Sequence, residues 1–450
     1  MHNENKISSS DIFRDDIVTS IYNRAKEISE AVVNTPKHKT FDWDNKLDDI
    51  LTSKWTGFPI MLLILCFVFW LTIVGANIPS AMLSRILFWI EDKLTEIFIF
   101  FDAPSWLHGI LVLGMYRTGA WVVSVMLPPM AIFFPCFTLL EDFGYLPRVA
   151  FNLDRLFKKA GTHGKQALTM AMGFGCNAAG VVACRIIDSP RERLIATLTN
   201  NFVPCNGRFP TLIALSMILI GATVHSPFVS FLTSGIVILL VLSGIAVTFI
   251  VSYILSKTIL KGTPSTFNLE LPPYRRPQIG KVIVRSIFDR TLFVLGRAVS
   301  VALPAGAITW LVANIMIGDA SILNHISGFL DPFGIAIGLD GVIILAFILG
   351  LPANEIVLPI IFMSYLSKGA MIELDTIEEM RNVFISNGWT WLTCLNVMLF
   401  SLFHFPCGTT LWTIRKETQS LKWTVASFII PTIVAIIVCF STTRIVYWFI

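Results

Sequence analysis

Gly173-Phe174-Gly175-Cys176-Asn177-Ala178-Ala179-Gly180 interrupts a long apolar run, and Gly350-Leu351-Pro352-Ala353-Asn354-Glu355 does the same in the second half of the chain. Each places helix-weakening Gly or Pro beside polar side chains, inside a segment otherwise suited to hydrocarbon. Each is followed by another apolar segment carrying Pro-Cys, at Pro204-Cys205-Asn206-Gly207-Arg208 and at Phe405-Pro406-Cys407-Gly408. Paired broken helices are where membrane carriers bind ions.

The composition around these breaks fits that reading. Hydrophobic residues make up 54% of 450 and charged residues only 14%, and the mean hydropathy is +0.71. A water-facing globule cannot carry such a surface, so the chain reads as an all-α polytopic membrane protein. The formal charge of +4 is small and its basic residues gather in connecting loops, which bears on orientation and gives no support for a nucleic-acid partner. The 8 cysteines lie in or beside apolar segments, which argues against a disulfide framework. Residues 1–54 are polar and open without an apolar run, so no secretory signal is read and insertion falls to the first span.

About eight spans and two re-entrant or broken hairpins, arranged as an inverted repeat, account for the apolar pattern. Residues 1–55 read as a short cytosolic helical segment, with an apolar stripe at Ile17, Ile21, Ala25 and Ile28 and a second short helix over 42–51. Residues 56–115 hold a first span over 57–78 and an amphipathic interfacial helix over 81–101. Residues 116–212 form a first gate region, beginning in a Gly- and Pro-broken stretch over 106–140 and continuing through a basic cytosolic loop over 146–165. Residues 213–290 carry core spans and a Pro-rich basic linker over 257–290, and residues 291–415 form a second gate region. There a loop before Asp340 carries Asp319 and Asp331 without Lys or Arg, and the segment 342–366 holds the second break. A last span lies in 416–450. Basic flanks put the first hairpin on the inside and acidic flanks put the second outside, with the N-terminus cytosolic.

An unwound backbone at membrane depth needs neighbouring protein or water to satisfy it, so the breaks should face one another in the interior. That would bring together Cys176, Asn177, Cys205, Asn354, Glu355 and Cys407. Thiol sulfur with amide and carboxylate oxygen suits a borderline cation such as Fe²⁺, Zn²⁺ or Mn²⁺. Glu355 is the sharpest signal, because a carboxylate inside an apolar segment costs several kcal/mol unless paired, protonated or coordinating. Bland readings stand beside these. Cys66, Cys136, Cys184, Cys394 and Cys439 lack polar companions and read as packing residues. The three gate cysteines would serve equally at close Gly-rich helix crossings. Glu355 would serve as an ion-pair partner of Arg208, and Asn177 and Asn354 as caps for freed backbone groups. Met172, Met398 and His404 read as core or interfacial. No nucleophile and base stand out together, so an enzyme is the weakest reading.

With these motifs in place, the chain resembles the membrane portion of the ferrous iron transport protein B (FeoB) family. The resemblance rests on Asp48-Asp49-Ile50-Leu51-Thr52-Ser53-Lys54-Trp55-Thr56-Gly57-Phe58-Pro59, on Glu141-Asp142-Phe143-Gly144-Tyr145-Leu146-Pro147-Arg148, and on Gly173 to Gly180. It continues through Pro204 to Pro210 and through Phe405-Pro406-Cys407 to Arg415-Lys416-Glu417-Thr418, in the family's order. It implies Fe²⁺ as the transported ion, the cytoplasmic (inner) membrane of a bacterium as the location, and the family's gate cysteines at Cys176, Cys205 and Cys407. It also implies a small cytosolic accessory protein, and the lipid bilayer as the surroundings of a possible homo-oligomer. The family normally begins with a GTPase domain, whereas this sequence has no G-x-x-x-x-G-K-[ST] and so no nucleotide site is read on it. The expectation is a separately encoded GTPase subunit docking on the N-terminal helices or on the 257–290 linker, with an uncoupled passive channel as the other option. The gate fold is shared with nucleoside-type carriers, which leaves a small-solute carrier, or a non-transporting membrane scaffold, as alternatives.

Overall fold

The computed structural model describes residues 9–32, 43–53, 55–220, 227–262, 274, 278–372, 374 and 376–449. They fall into two compact units, Met1–Leu47 and Asp48–Ile450. In the first, Ser9–Val32 is one helix with Ile17, Ile21 and Ile28 exposed. The second short helix is Trp43–Leu51.

The larger unit is helical, with one antiparallel pairing of Met316–Ile317 and Ala320–Ser321. Among the described residues, 7 helices are long and apolar enough to cross a membrane, or 8 if Ile322–Ala336 and Gly341–Leu349, bent by 111°, count as one span. Burial separates centre from rim. Over the apolar 18-residue stretch in each, 72% of Trp391–Thr418 and 50% of Pro190–Ile220 is buried, against only 19% for Gly57–Phe100 and 22% for Leu421–Trp448. The rim helices turn Ile, Leu, Phe and Trp outward, as lipid requires. Between helices in lipid the gain comes from close packing more than from escape from water.

Two stretches share one order of parts. Ser105–Asp142 is a continuous helical run containing a π-helical segment, Gly109–Tyr116, and Ile279–Asn314 contains another, Ser286–Leu292. Each run leads to a broken hairpin, Gln166–Gly175 with Asn177–Ala183 in the first and Gly341–Leu349 with Val357–Tyr365 in the second. Each then reaches a span interrupted midway, Pro190–Ile220 and Trp391–Thr418. The two long runs cross tightly, because a Cβ on Gly109 would overlap Trp310 and one on Gly306 would overlap Thr118. Phe133, Phe134, Phe137, Met170 and Phe174 pack around the first hairpin, and a larger cluster including Ile343, Phe347, Ile360, Phe362 and Leu402 surrounds the second.

Several sequence expectations are corrected. The first span and the interfacial helix are one helix, Gly57–Phe100, which runs through Pro79. Its 44 residues measure about 66 Å at 1.5 Å each. The charges that suggested an interface are partly internal, since Glu91 is buried and takes two bonds from Arg117. The stretch expected as a broken piece over 106–140 is unbroken, its glycines absorbed into the π segment and Pro128, Pro129 and Pro135 into Arg117–Asp142. The basic loop over 146–165 contains the helix Tyr145–Lys159, and the acidic loop before Asp340 is the helix Ile322–Ala336, capped by Ser321. Ile279 onward in the linker is helical, whereas 263–273 and 275–277 lie outside the described residues.

Candidate cation site at the broken helices

Each hairpin breaks through an extended residue, which stands alone in the first and ends the non-helical stretch 350–353 in the second. Cys176 has φ −157° and ψ 125°, and Ala353 has φ −151° and ψ 121°. Asn177 and Asn354 each open the helical turn that follows. The interrupted spans match in the same way, with Cys205 at φ −85°, ψ 168° and Cys407 at φ −61°, ψ 159°. The breaks therefore repeat in backbone shape, while thiols occupy three of the four equivalent places.

Glycine serves proximity here. A Cβ on Gly180 would overlap the Asn200 amide, one on Gly173 would press on it, and one on Gly175 would strike Phe133. Asn200 uses the space to donate to Asn177 O at 3.2 Å. With the Asn177 amide turned so that its nitrogen faces the carbonyl groups around it, that nitrogen meets Gly173 O at 3.1 Å and Val203 O at 3.2 Å. Asn177 thus ties the first hairpin to the unwound part of the Pro190–Ile220 span, and its amide is engaged by backbone groups. Asn201 donates to His404 O at 2.7 Å, joining the two interrupted spans.

Arg208 has no exposed surface. Its Nη1 donates to Asn201 O at 2.9 Å and Leu402 O at 2.8 Å, and its Nη2 to Asn201 Oδ1, His404 O and Phe405 O at 3.2, 3.3 and 3.3 Å. The ion pair that the alternative reading placed between Arg208 and Glu355 is not among those formed by the described residues. Glu355 is 8% exposed and lies against Gly207, where a Cβ would overlap its carboxylate. Asn354 is buried with its Oδ1 unbonded, and the Cys407 thiol meets Thr410 Oγ1 at 3.2 Å. Cys176 and Cys205 are buried, and all 8 cysteines are free.

Two contacts bring the segments together: Gly207 borders the Glu355 side chain, and Gly408 N donates to Leu351 O at 2.6 Å. Among the described residues, though, no three His, Cys, Asp or Glu side chains are gathered closely enough to hold a metal ion. The six expected residues share one region without forming a closed coordination shell. Behind the first hairpin, a cavity of about 440 Å³ is lined by Ala178, Ala179, Val182 and Ala183 on one side and by Phe137, Phe293 and Arg297 on the other. Asn201 and Arg208 carry more of the local order than the sequence indicated. The signal for Asn201 was an Asn-Asn pair ahead of Val203-Pro204.

Both broken hairpins and both interrupted spans fall inside residues 123–220 and 295–421, which match the Gate family model described as nucleoside recognition, and residues 237–289 match the ferrous iron transport protein B C terminus. The chain belongs to the FeoB family. It is 29% identical over 438 residues to a Staphylococcus aureus protein named Fe(2+) transporter FeoB, covering 94% of this chain and 62% of that protein. A Methanocaldococcus jannaschii FeoB of the same name is 26% identical over 412 residues, covering 87% of this chain and 57% of its own length. A Porphyromonas gingivalis Fe(2+) transport protein A/Fe(2+) transporter FeoB fusion protein is 27% identical over 448 residues, with 89% and 51% covered. This chain therefore spans about three-fifths or less of these FeoB relatives, and what it matches is their membrane portion. No solved structure matches.

Proposed function

We propose that this chain is a Fe²⁺ permease of the cytoplasmic membrane, with the ion held near the midplane between the two broken hairpins. Cys176, Cys205, Cys407, Asn354 and Glu355 supply the ligands, and Asn177 supports the backbone beneath them. One observation carries the reading: a carboxylate without an ion-pair partner among the described residues sits at the break of the second hairpin, beside the Cys205 segment of the first repeat. A carboxylate and several thiols at one depth in an apolar chain suit a borderline divalent cation. Because the side chains are not yet at ligating distances, the reading requires the hairpins to close on the ion. Two repeats lying in opposite senses across the membrane would give inward and outward access by such closure.

Energy would come from coupling to a GTPase, with a small cytosolic protein as a further partner. The fusion of Fe(2+) transport protein A to a FeoB relative supports the further partner. Fe²⁺ uptake by membrane vesicles tests the site. Glu355→Gln and Cys176→Ser at normal protein levels are expected to lower uptake at least about tenfold, and wild-type uptake in both would remove it. Zn²⁺ and Mn²⁺ are expected to compete. The Gate model's own description keeps a nucleoside-type carrier as a second reading. Nucleoside uptake that survives Glu355→Gln would favour it.

A further inference from the structure

The geometry points to Arg208 as the positioning residue of the proposed cation site, a buried crossbar that sets the Cys205 and Cys407 segments against one another. The inference rests on the site reading above and adds to it the device that holds the site's shape.

A span unwound at membrane depth leaves carbonyl groups that no water can satisfy, and each orphan costs free energy. Here two spans unwind side by side, over 203–205 just past the tight turn Asn200–Phe202 and over 404–407. Arg208 answers both at once. Its two terminal nitrogens reach the Asn201 carbonyl on its own span and the Leu402, His404 and Phe405 carbonyls on the other. Leu402 lies in the last turn of the helix Trp391–Phe403, with His404 and Phe405 just past it, and the backbone at such an end carries partial negative charge. A planar five-donor guanidinium fits such a fan of acceptors, whereas a lysine ammonium presents three donors in a tetrahedral spread.

Arg208 is also where the repeats part company. The second repeat has Thr410 in the corresponding place, three residues after its Pro-Cys cysteine, and Thr410 meets the Cys407 thiol. One cation therefore serves both repeats, and the thiols on either side depend on it for spacing. Arg208 Nε is left unbonded, so the guanidinium is held wholly through its fork. Groups behind ligands commonly change metal affinity by about 10- to 100-fold when removed.

The test is Fe²⁺ uptake by vesicles at matched protein level, together with maleimide labelling of Cys205 and Cys407. Arg208→Gln and Arg208→Lys are both expected to raise the half-saturating Fe²⁺ concentration about tenfold or more, with a smaller fall in maximal rate and altered labelling of both thiols. Asn201→Ser, which keeps the arginine but removes the Asn201 Oδ1 acceptor and the link to His404 O, is expected to raise it about threefold. Full rescue by lysine would show that charge matters and placement does not, and would overturn the inference. So would an unchanged half-saturating concentration in Arg208→Gln. If neither Arg208 variant accumulates, Asn201→Ser decides, and a wild-type half-saturating value there overturns the inference. Glu355→Gln separates the two levels: if it is inactive while Arg208→Gln binds Fe²⁺ normally, only the role of Arg208 falls, and if it transports normally the site itself falls.

Discussion

A methyl group on Gly207 would occupy the space now held by the Glu355 carboxylate, so the smallest side chain in the chain decides where its most costly one sits. Gly207→Ala is expected to push Glu355 away, destabilise the protein by about 1–3 kcal/mol and lower Fe²⁺ uptake more than melting temperature. Uptake equal to wild type in a protein that accumulates normally would separate Glu355 from the route. The same logic explains why Gly173 and Gly180 flank Asn200. None of Gly173, Gly175, Gly180 and Gly207 has a positive φ. Room for a neighbour, not backbone freedom, is what these positions require. That distinction is invisible in a sequence, where glycine in an apolar run reads only as a helix breaker.

Between elements, one end of the larger unit is fastened by Asp48, Arg148 and Tyr274. Arg148, 2% exposed, donates to both Asp48 oxygens at 2.9 and 3.2 Å and to Gly144 O at 2.8 Å. Tyr274 donates to Asp48 Oδ1 at 2.7 Å and lies 4.1 Å from the guanidinium. Burial acts to raise the Asp48 carboxyl, but the bonds from Arg148 and Tyr274 and the Arg148 charge hold it below its ordinary value. The Tyr274 hydroxyl is pushed up to about 12 by burial and by its bond to Asp48, so it stays a donor at any physiological pH. A carboxyl lowered in the folded state gives stability that is complete above its unfolded value of about 3.9 and lost as pH falls through the folded value. The fastening should therefore hold at pH 7 and open only in strong acid, as hydrogen exchange over residues 48–53 would report. Asp48→Asn is expected to cost about 1–3 kcal/mol at pH 7, and an unchanged melting temperature would deny the fastening any weight. The breaks at Cys176 and at Ala353-Asn354 were legible because polar groups in an apolar run have few other uses. The helix Ile322–Ala336 was not, because Asp331, Pro332 and Gly334 look like loop residues. Asp331 in fact accepts from Gly341 N at 2.7 Å, and Asp340 caps the next helix by accepting from Ile343 N at 2.6 Å. Likewise, nothing near Glu91 in the sequence foretells Arg117 as its partner.

At the scale of the molecule, the buried spans form a frame against which the hairpins must shift if an ion is to pass. On the proposed reading, the cavity of about 440 Å³ lined by Ala178, Ala179 and Val182 would give room for such a shift. Ala179→Phe, which fills it, is expected to lower the maximal rate of Fe²⁺ uptake several-fold, about 3- to 10-fold, while leaving the half-saturating concentration near wild type. A change confined to half-saturation would mean that the cavity belongs to binding and not to motion. The family and the helical class were readable from composition and motif order, and the frame was not, since it depends on crossings such as Gly306 on Thr118 that link distant segments. One inequality between the repeats reaches furthest. Cys176 stands at the first break where Ala353 stands at the second, so the two breaks differ in the one side chain able to hold a soft ion. If both breaks line the proposed route, exchanging that pair of residues should carry soft-ion affinity from one repeat to the other while leaving the net direction of an uncoupled flux unchanged.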